Sequence, residues 1–158
     1  MTIEERLDAL EDRLRSAEDR LAIMDLVYSY GAAVDTGSAQ VTAGMFTPDG
    51  VYDVDTGLLA GRQEIAAMVE GEPHQGLIAH GCGHLMTAPQ ITLDGDRATV
   101  RSYSQLIVRR TSSSGFAVAR LTANRWELIR VDDGWRVERR VARVVDGSDE
   151  PRGLLRPQ

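Results

Sequence analysis

Two residues of this chain place proton-moving groups inside otherwise apolar stretches. Asp35 follows Ala32-Ala33-Val34, and His84 lies in Gly83-His84-Leu85-Met86. Imidazole is the side chain most easily poised as a general base near neutral pH. A carboxylate behind it fixes one tautomer and stabilises the cationic form. If Asp35 and His84 meet, they make an acid/base pair suited to taking a proton from carbon. Taken singly, each has a plainer reading: Asp35 as a solvated helix-end residue, His84 as a hydrogen-bonded core histidine. Tyr30 lies five residues before Asp35, roughly 140° away around a helix, and can reach the same cavity from a different angle.

A cation is available near the end of the chain. The segment Gly134-Trp135-Arg136-Val137-Glu138-Arg139-Arg140-Val141 alternates as a strand. Strict alternation puts Trp135, Val137, Arg139 and Val141 on one face and Arg136, Glu138, Arg140 and Ala142 on the other, unless a bulge intervenes. One of Arg139, Arg140 or Arg143 could supply it to a pocket; taken singly, each has the plainer reading of a surface arginine. The run His80-x-Cys82-x-His84 raises the question of a metal, because a strand would put His80, Cys82, His84 and Met86 on one face. Alternate strand residues lie roughly 6.5–7 Å apart, too far for three of them to wrap one ion easily. Zinc usually draws on at least two segments, so no metal is expected. The chain has no nucleophile elbow, P-loop, GxGxxG or CxxC motif, and no nucleotide or flavin cofactor is expected either.

These side chains need elements to position them. Ile3, Leu7, Leu10, Leu14, Ala17, Leu21 and Met24 repeat at spacings of four and three, which predicts a helix over 3–36 with a heptad seam. Thr2 and Glu5 have the spacing of a capping box. The first half of this helix is otherwise charged, and either projects beyond the core, packs on a second subunit or lies on its own domain. The second half is apolar on several faces and should be buried. A short helix is expected over 39–46, a turn at Thr47-Pro48-Asp49-Gly50, a strand at Val51–Val54, a helix over Gly61–Glu70 and a loop over Gly71–Gly76. Period-two patterning then predicts strands at about 78–93, 97–110, 116–131 and 134–145. They are joined at Asp94-Gly95-Asp96, at Thr111 to Gly115 and at Asp132-Asp133-Gly134. From Asp146 onward the chain reads as loosely ordered. Helices followed by an antiparallel meander argue an α+β fold with helices on one face of a curved sheet. The expected organisation is an N-terminal extension helix over 1–20, one domain over 21–146 and a flexible tail over 147–158.

Composition narrows the function classes. The 158 residues carry a formal net charge of −6 with no Lys/Arg-rich run, so nucleic acid would be repelled. The single cysteine, Cys82, excludes an intrachain disulfide framework and fits a reducing compartment. The charged N-terminal segment is not a secretory signal. No apolar run approaches the about 20 residues that span a bilayer. A cytoplasmic protein is expected, with a small molecule as its partner and no nucleic acid or membrane.

The order of these motifs resembles a known family. Ile23-Met24-Asp25-Leu26-Val27-Tyr28-Ser29-Tyr30-Gly31-Ala32-Ala33-Val34-Asp35 resembles the first-helix signature of the SnoaL-like branch of the nuclear transport factor 2-like superfamily. Met45-Phe46-Thr47-Pro48-Asp49-Gly50-Val51-Tyr52, Gly83-His84, Asp94-Gly95-Asp96-Arg97-Ala98 and Asp133-Gly134-Trp135-Arg136-Val137 are similar to later motifs of that branch. The resemblance covers about residues 20 to 145. It implies an α+β cone, with N-terminal helices on a curved antiparallel sheet around a pocket. It also implies kinship with the cofactor-free scytalone dehydratase and dehydrochlorinase-like lyases, which pair a first-helix Asp with a strand His. On that resemblance Asp35, His84, Tyr30 and Arg140 are the expected catalytic residues and Tyr52 a pocket residue; Met86, which strand alternation puts on the His84 face, is expected against the substrate. Where relatives often carry an Asn soon after the strand histidine, this chain has Thr87-Ala88-Pro89. The implied activity is elimination on a small apolar molecule such as a steroid or polyketide. A cyclase or isomerase using the same base, and a non-catalytic binding protein, are the alternatives. A homo-oligomer is expected, a trimer ahead of a dimer, with Trp126, Leu128 and Val137 offering apolar contact from the outer sheet face.

Overall fold

The structure is a computed structural model that describes residues 1–132 and 134–157. Asp133, in the expected turn before the last strand, and Gln158 lie outside the described residues. Helix α1 runs from Ile3 to Asp35, opened by Thr2, whose hydroxyl accepts from Glu5 N–H while the Glu5 carboxylate accepts from Thr2 N–H. Both halves of the expected capping box are therefore present. Only the second half of α1 is buried, through Ile23, Val27, Tyr30, Gly31, Ala33 and Val34. Asp19 joins it by taking both ends of the Arg130 guanidinium, at 2.7 and 2.6 Å, and the Trp135 indole N–H at 3.1 Å. The Arg130 hydrogen bonds hold the Asp19 carboxyl below the usual carboxylate range.

The other elements are α2 (Ala39–Gly44), β1 (Phe46–Val54), β2 (Gly57–Ala60), α3 (Gly61–Glu70), α4 (Glu72–His80), β3 (Cys82–Met86), β4 (Gln90–Asp94), β5 (Arg97–Arg109), β6 (Phe116–Val131), β7 (Gly134–Val144) and α5 (Asp149–Leu155). One seven-stranded sheet has the order β2-β1-β7-β6-β5-β3, and β4 pairs with the other half of β5. The long strands β5, β6 and β7 form the expected meander. The sheet is nevertheless mixed, because β1 lies parallel to β7.

Four local differences from the sequence reading have physical causes. The turn expected at Thr47–Gly50 is an irregular stretch of β1, where the register against β7 shifts between Phe46 and Val51. A Cβ on Gly50 would come within 2.8 Å of the Val137 carbonyl oxygen. The single strand expected over 78–93 is three pieces. Residues up to His80 belong to α4, which has Pro73 in its first turn and ends at Gly81 with φ +99. β3 is then separated from β4 at Thr87-Ala88-Pro89, where Pro89 has no N–H for a ladder. The loop expected over 71–76 is thus the start of a helix. Finally, the loose tail expected beyond Asp146 contains α5. Pro151 of α5 is buried, Glu150 pairs with Arg143, and the Arg156 carbonyl accepts from Arg101.

The core lies between the sheet and α1, α2 and α3. Trp126, Leu128 and Val137 belong to this core and are 0–1% exposed, not on the outer face. They cannot offer contact to another subunit. Among the described residues no helix is long and apolar enough to cross a membrane.

The tightest junction is between α1 and β3. A Cβ on Gly31 would sit 2.2 Å from the His84 carbonyl oxygen. Glycine ordinarily costs a helix interior about 1 kcal/mol relative to alanine, but here only a hydrogen fits. Gly31→Ala is therefore expected to lower the unfolding free energy by roughly 1–3 kcal/mol, as overpacking of a filled interior does, rather than raise it. Chemical denaturation of the two proteins checks the sign.

Candidate functional site

Gly31 and Asp35 are four residues apart and so share one face of α1. The close approach at Gly31 brings the Asp35 carboxylate onto β3. Its Oδ2 accepts the His84 backbone N–H at 2.7 Å, and its Oδ1 lies 2.6 Å from His84 Nδ1. A carboxylate can only accept, so Nδ1 carries the hydrogen, and Nε2 is left as the basic nitrogen. Both side chains are about one-fifth exposed. Burial pulls the His84 pKa below its ordinary value and outweighs the opposing pull of Asp35. A short carboxylate–imidazole contact would by itself suggest a standing ion pair. Because desolvation dominates, the resting imidazole is neutral and able to accept a proton.

His84 lines a cavity of about 210 Å³ with Tyr30, Tyr52, His74, Ser104 and Arg140 among its other walls. Tyr30 comes from α1, Tyr52 from β1 and Arg140 from β7. Strict alternation would separate Arg140 from Trp135 and Val137, yet all three are buried. The β6–β7 register shifts between Glu127 and Leu128, whose partners are Arg139 and Val137, leaving Glu138 as the extra residue. That bulge turns Arg140 inward and Arg139 outward to Asp53. Arg143 also bonds Asp53, at 2.8 Å. Of the three candidate arginines, only Arg140 reaches the cavity.

Arg140 is 2% exposed and has no carboxylate partner among the hydrogen bonds of the described residues. Its Nε and one Nη donate to Asn124 Oδ1 at 3.1 and 2.8 Å. Its guanidinium carbon lies 4.0–4.6 Å from the ring centroids of Tyr30, Tyr52 and Trp126. The other Nη, Nη1, is buried without a hydrogen-bond partner among the described residues. Asn124 is held in turn by donating to Ser104 Oγ at 3.0 Å. Burial pushes the Tyr30 phenol above its ordinary pKa, so it keeps its proton and remains a donor.

Two site residues have no place in the sequence reading. His74 falls in α4, where a loop is expected. Its Nε2 lies 2.7 Å from the Val34 carbonyl and its ring stacks on His84 at 6.0 Å between centroids. Asn124 lies in a run of alternating strand residues, and only its burial at 0% exposure marks it. Its position two residues before Trp126, on the same strand face, is the one signal the sequence offers. Conversely, Met86 packs against the core and is not among the residues lining the cavity. His80 lies at the end of α4 with Nε2 3.0 Å from the Arg109 carbonyl, so the expected strand face holding four such residues does not exist.

Asp35, Cys82 and His84 bring possible ligand atoms within 4.8 Å of one another. The Asp35 and His84 atoms are already bonded to each other, and Cys82 Sγ lies 3.8 Å from Asp35 Oδ1. Burial, followed by the Asp35 charge, pushes the Cys82 thiol up, which keeps it protonated and a poor ligand. A cation held by Asp35 Oδ1 and His84 Nδ1 together would have to displace the hydrogen bond between them.

The architecture has close counterparts among solved structures. An NTF2-like protein with a cystatin-like fold from Novosphingobium aromaticivorans is 37% identical, with a TM-score of 0.92 over 96% of this chain and 97% of that one. A protein of unknown function from Mycobacterium tuberculosis, solved as a point variant, is 24% identical, with a TM-score of 0.74 over 90% and 79%. A Catenulispora acidiphila protein in complex with S-DNPA is 20% identical, with a TM-score of 0.67 over 78% and 91%. The last two likenesses speak to fold alone. No curated protein matches the chain. Residues 15–141 match the SnoaL-like domain, and with that span covering most of the sequence, the chain belongs to the SnoaL-like family and carries its NTF2-like fold.

Proposed function

We propose that this protein is a cofactor-independent lyase that removes water, or a similar small leaving group, from a small and largely apolar molecule. The observation that carries this reading is the 2.6 Å contact between Asp35 Oδ1 and His84 Nδ1 at the edge of a cavity that also holds Arg140. His84 Nε2 takes a proton from a carbon next to an activating group. The C–H electron pair becomes the new C=C π bond. The leaving hydroxyl departs with its own electron pair and receives a proton from Tyr30, so the products are an alkene or conjugated enone and water. The proton on His84 restores the Tyr30 phenol and completes the cycle.

Each wall of the cavity has a part in this scheme. Asp35 holds the His84 tautomer and stabilises the imidazolium. Arg140, with Tyr52 beside it, favours the negative charge that develops on a carbonyl or departing oxygen. Exclusion of water strengthens both effects. The volume also bears on the substrate. A cavity of about 150 Å³ accommodates benzene, so about 210 Å³ suits one ring or two fused rings better than an entire steroid. The ligand complex of the Catenulispora protein is consistent with small-molecule binding in this fold.

His84→Ala and Asp35→Asn are each expected to lower kcat/KM by about 10²–10⁴ while the circular dichroism spectrum stays unchanged. Near-normal turnover by either variant would remove the dyad from the mechanism. The mass of the product tests the reaction class: elimination of water lowers the substrate mass by about 18 Da, whereas isomerisation by the same base leaves it unchanged.

The pH profile follows from the lowered His84 pKa. The neutral form is the base, so kcat/KM should hold its plateau as pH falls through the ordinary histidine value of about 6.5 and decline only below it. Asp35 opposes the depression, so Asp35→Asn should move that acid limb to lower pH even as the plateau drops. A limb that moves upward would contradict the assignment.

A further inference from the structure

The first half of α1 is helical but buries almost nothing in its own domain. Ile3, Leu7, Leu10, Leu14 and Leu21 are 54–78% exposed, and Tyr28 continues their row at 42%. In heptad terms Leu7, Leu14, Leu21 and Tyr28 occupy the a positions, and Ile3, Leu10, Ala17 and Met24 the d positions. Asp19 and Ile23, buried against the domain at 9% and 0% exposure, fall at f and c. The domain therefore covers the back of α1 and leaves the a/d seam facing outward. From Ile3 to Met24 that seam is about 32 Å long at 1.5 Å per residue.

The flanking charges identify the occupant. Between Ile3 and Asp25 every e position is acidic (Glu4, Glu11, Glu18, Asp25) and every g position is basic (Arg6, Arg13, Arg20). In a parallel pair, a g residue faces the e residue of the next heptad on the other helix. Two copies of this sequence then give Arg6–Glu11, Arg13–Glu18 and Arg20–Asp25, each twice. An antiparallel pair would set g against g and e against e, arginine on arginine and carboxylate on carboxylate. Such e and g charges determine partner and orientation in coiled coils. Among the described residues, the ion pairs in this half of α1 use Glu5, Asp12, Arg15 and Asp19, all at f and b positions. The only flank residue with a hydrogen bond elsewhere among them is Arg20, whose guanidinium donates to the Ile91 carbonyl and keeps its charge for the seam. We infer that α1 pairs in parallel with α1 of a second copy of this chain along the Ile3–Tyr28 seam.

Orientation and contact can be tested separately on the full-length protein. In a Cys82→Ser background, Leu10→Cys should cross-link to a species of twice the monomer mass under mild oxidation, because a parallel seam sets position 10 against itself. An antiparallel seam over the same residues sets a against d, and position 10 would meet position 21. Cross-linking only when Leu10→Cys is mixed with Leu21→Cys would overturn the inference. Independently of cysteine, Leu7→Asp/Leu14→Asp should reduce the mass found by light scattering. Arg6→Glu/Arg13→Glu and Glu11→Lys/Glu18→Lys should each raise the dissociation constant roughly tenfold or more, and an equimolar mixture of the two should restore association. A mass unaffected by the leucine substitutions, or charge variants that mixing does not rescue, would also overturn it. These positions lie outside the cavity, so the outcome is independent of the proposed lyase activity.

Discussion

The site depends on a single close approach, that of the last turns of α1 to strand β3. Gly31 lets the helix backbone come down on the His84 carbonyl, and Asp35, one turn later, takes both the backbone N–H and the ring N–H of the same histidine. The first contact sets the distance and the second sets the rotation. Asp35 is otherwise badly placed. It is the last residue of α1, where the helix dipole disfavours a negative charge, and no basic residue in that turn compensates. Two charge-assisted hydrogen bonds, worth about 1.5–3 kcal/mol each, come from β3. The helix and the strand are thus mutually dependent: the strand makes the carboxylate tolerable, and the carboxylate orients the imidazole. His74 reinforces the junction from α4, bonding the Val34 carbonyl next to Asp35 in sequence and stacking on the His84 ring.

Arg140 presents the opposite problem at another wall of the cavity. A guanidinium 2% exposed and without a carboxylate is costly to desolvate. The protein offsets this with three aromatic rings, each cation–π contact worth roughly 0.5–2 kcal/mol, and with the Asn124 carbonyl. Neither source neutralises the charge. A carboxylate partner would stabilise the free protein more, but it would cancel the field in the cavity. The caged cation keeps its field for an electron-rich group in the cavity. The same cage gathers Tyr30, Tyr52 and Trp126, with Phe46 packed beside Tyr52, and the rings meet edge-on or tilted at 5.7–6.4 Å between centroids.

The features legible in the sequence are those with local causes. The Thr2–Glu5 capping box, the uninterrupted run of α1 and the period-two patterning of β5, β6 and β7 each depend on neighbours a few residues away, and the observed elements follow them closely. Asp35 and His84 stand out because a charged or titratable group in an apolar run must have a partner. What is not legible depends on registry between distant segments. The bulge at Glu138 reverses the faces of β7, so alternation alone puts Arg140 on the other face from Trp135 and Val137. The same lack of registry sends Trp126, Leu128 and Val137 to the outer face, although all three are core. The parallel pairing of β1 with β7 has no local sign either. His74 is hidden because Gly71 and Gly76 suggest a loop, while Pro73 in the first turn and Gly81 at the end are the helix signals. Met86 follows the strand periodicity of His84 but is partly buried against the core and does not line the cavity.

The two unfavourable charges make sense only together. Asp35 and Arg140 have opposite signs, and both belong to the walls around one small volume, His84 and Arg140 lining it directly and Asp35 behind His84. A salt bridge between them would remove both penalties at once, but neither is paired with the other: Asp35 is committed to β3 and Arg140 to Asn124 and the rings. The fold therefore keeps charges of opposite sign separated within a low-dielectric space, where fields are screened least. An elimination needs this polarity, since positive charge gathers on the base as negative charge gathers on the departing or carbonyl oxygen. A purely structural core would gain stability by replacing such a set with apolar side chains of similar volume. The presence of such a set, with both members held by neutral partners, is a physical reason to regard the cavity as a place suited to moving charge.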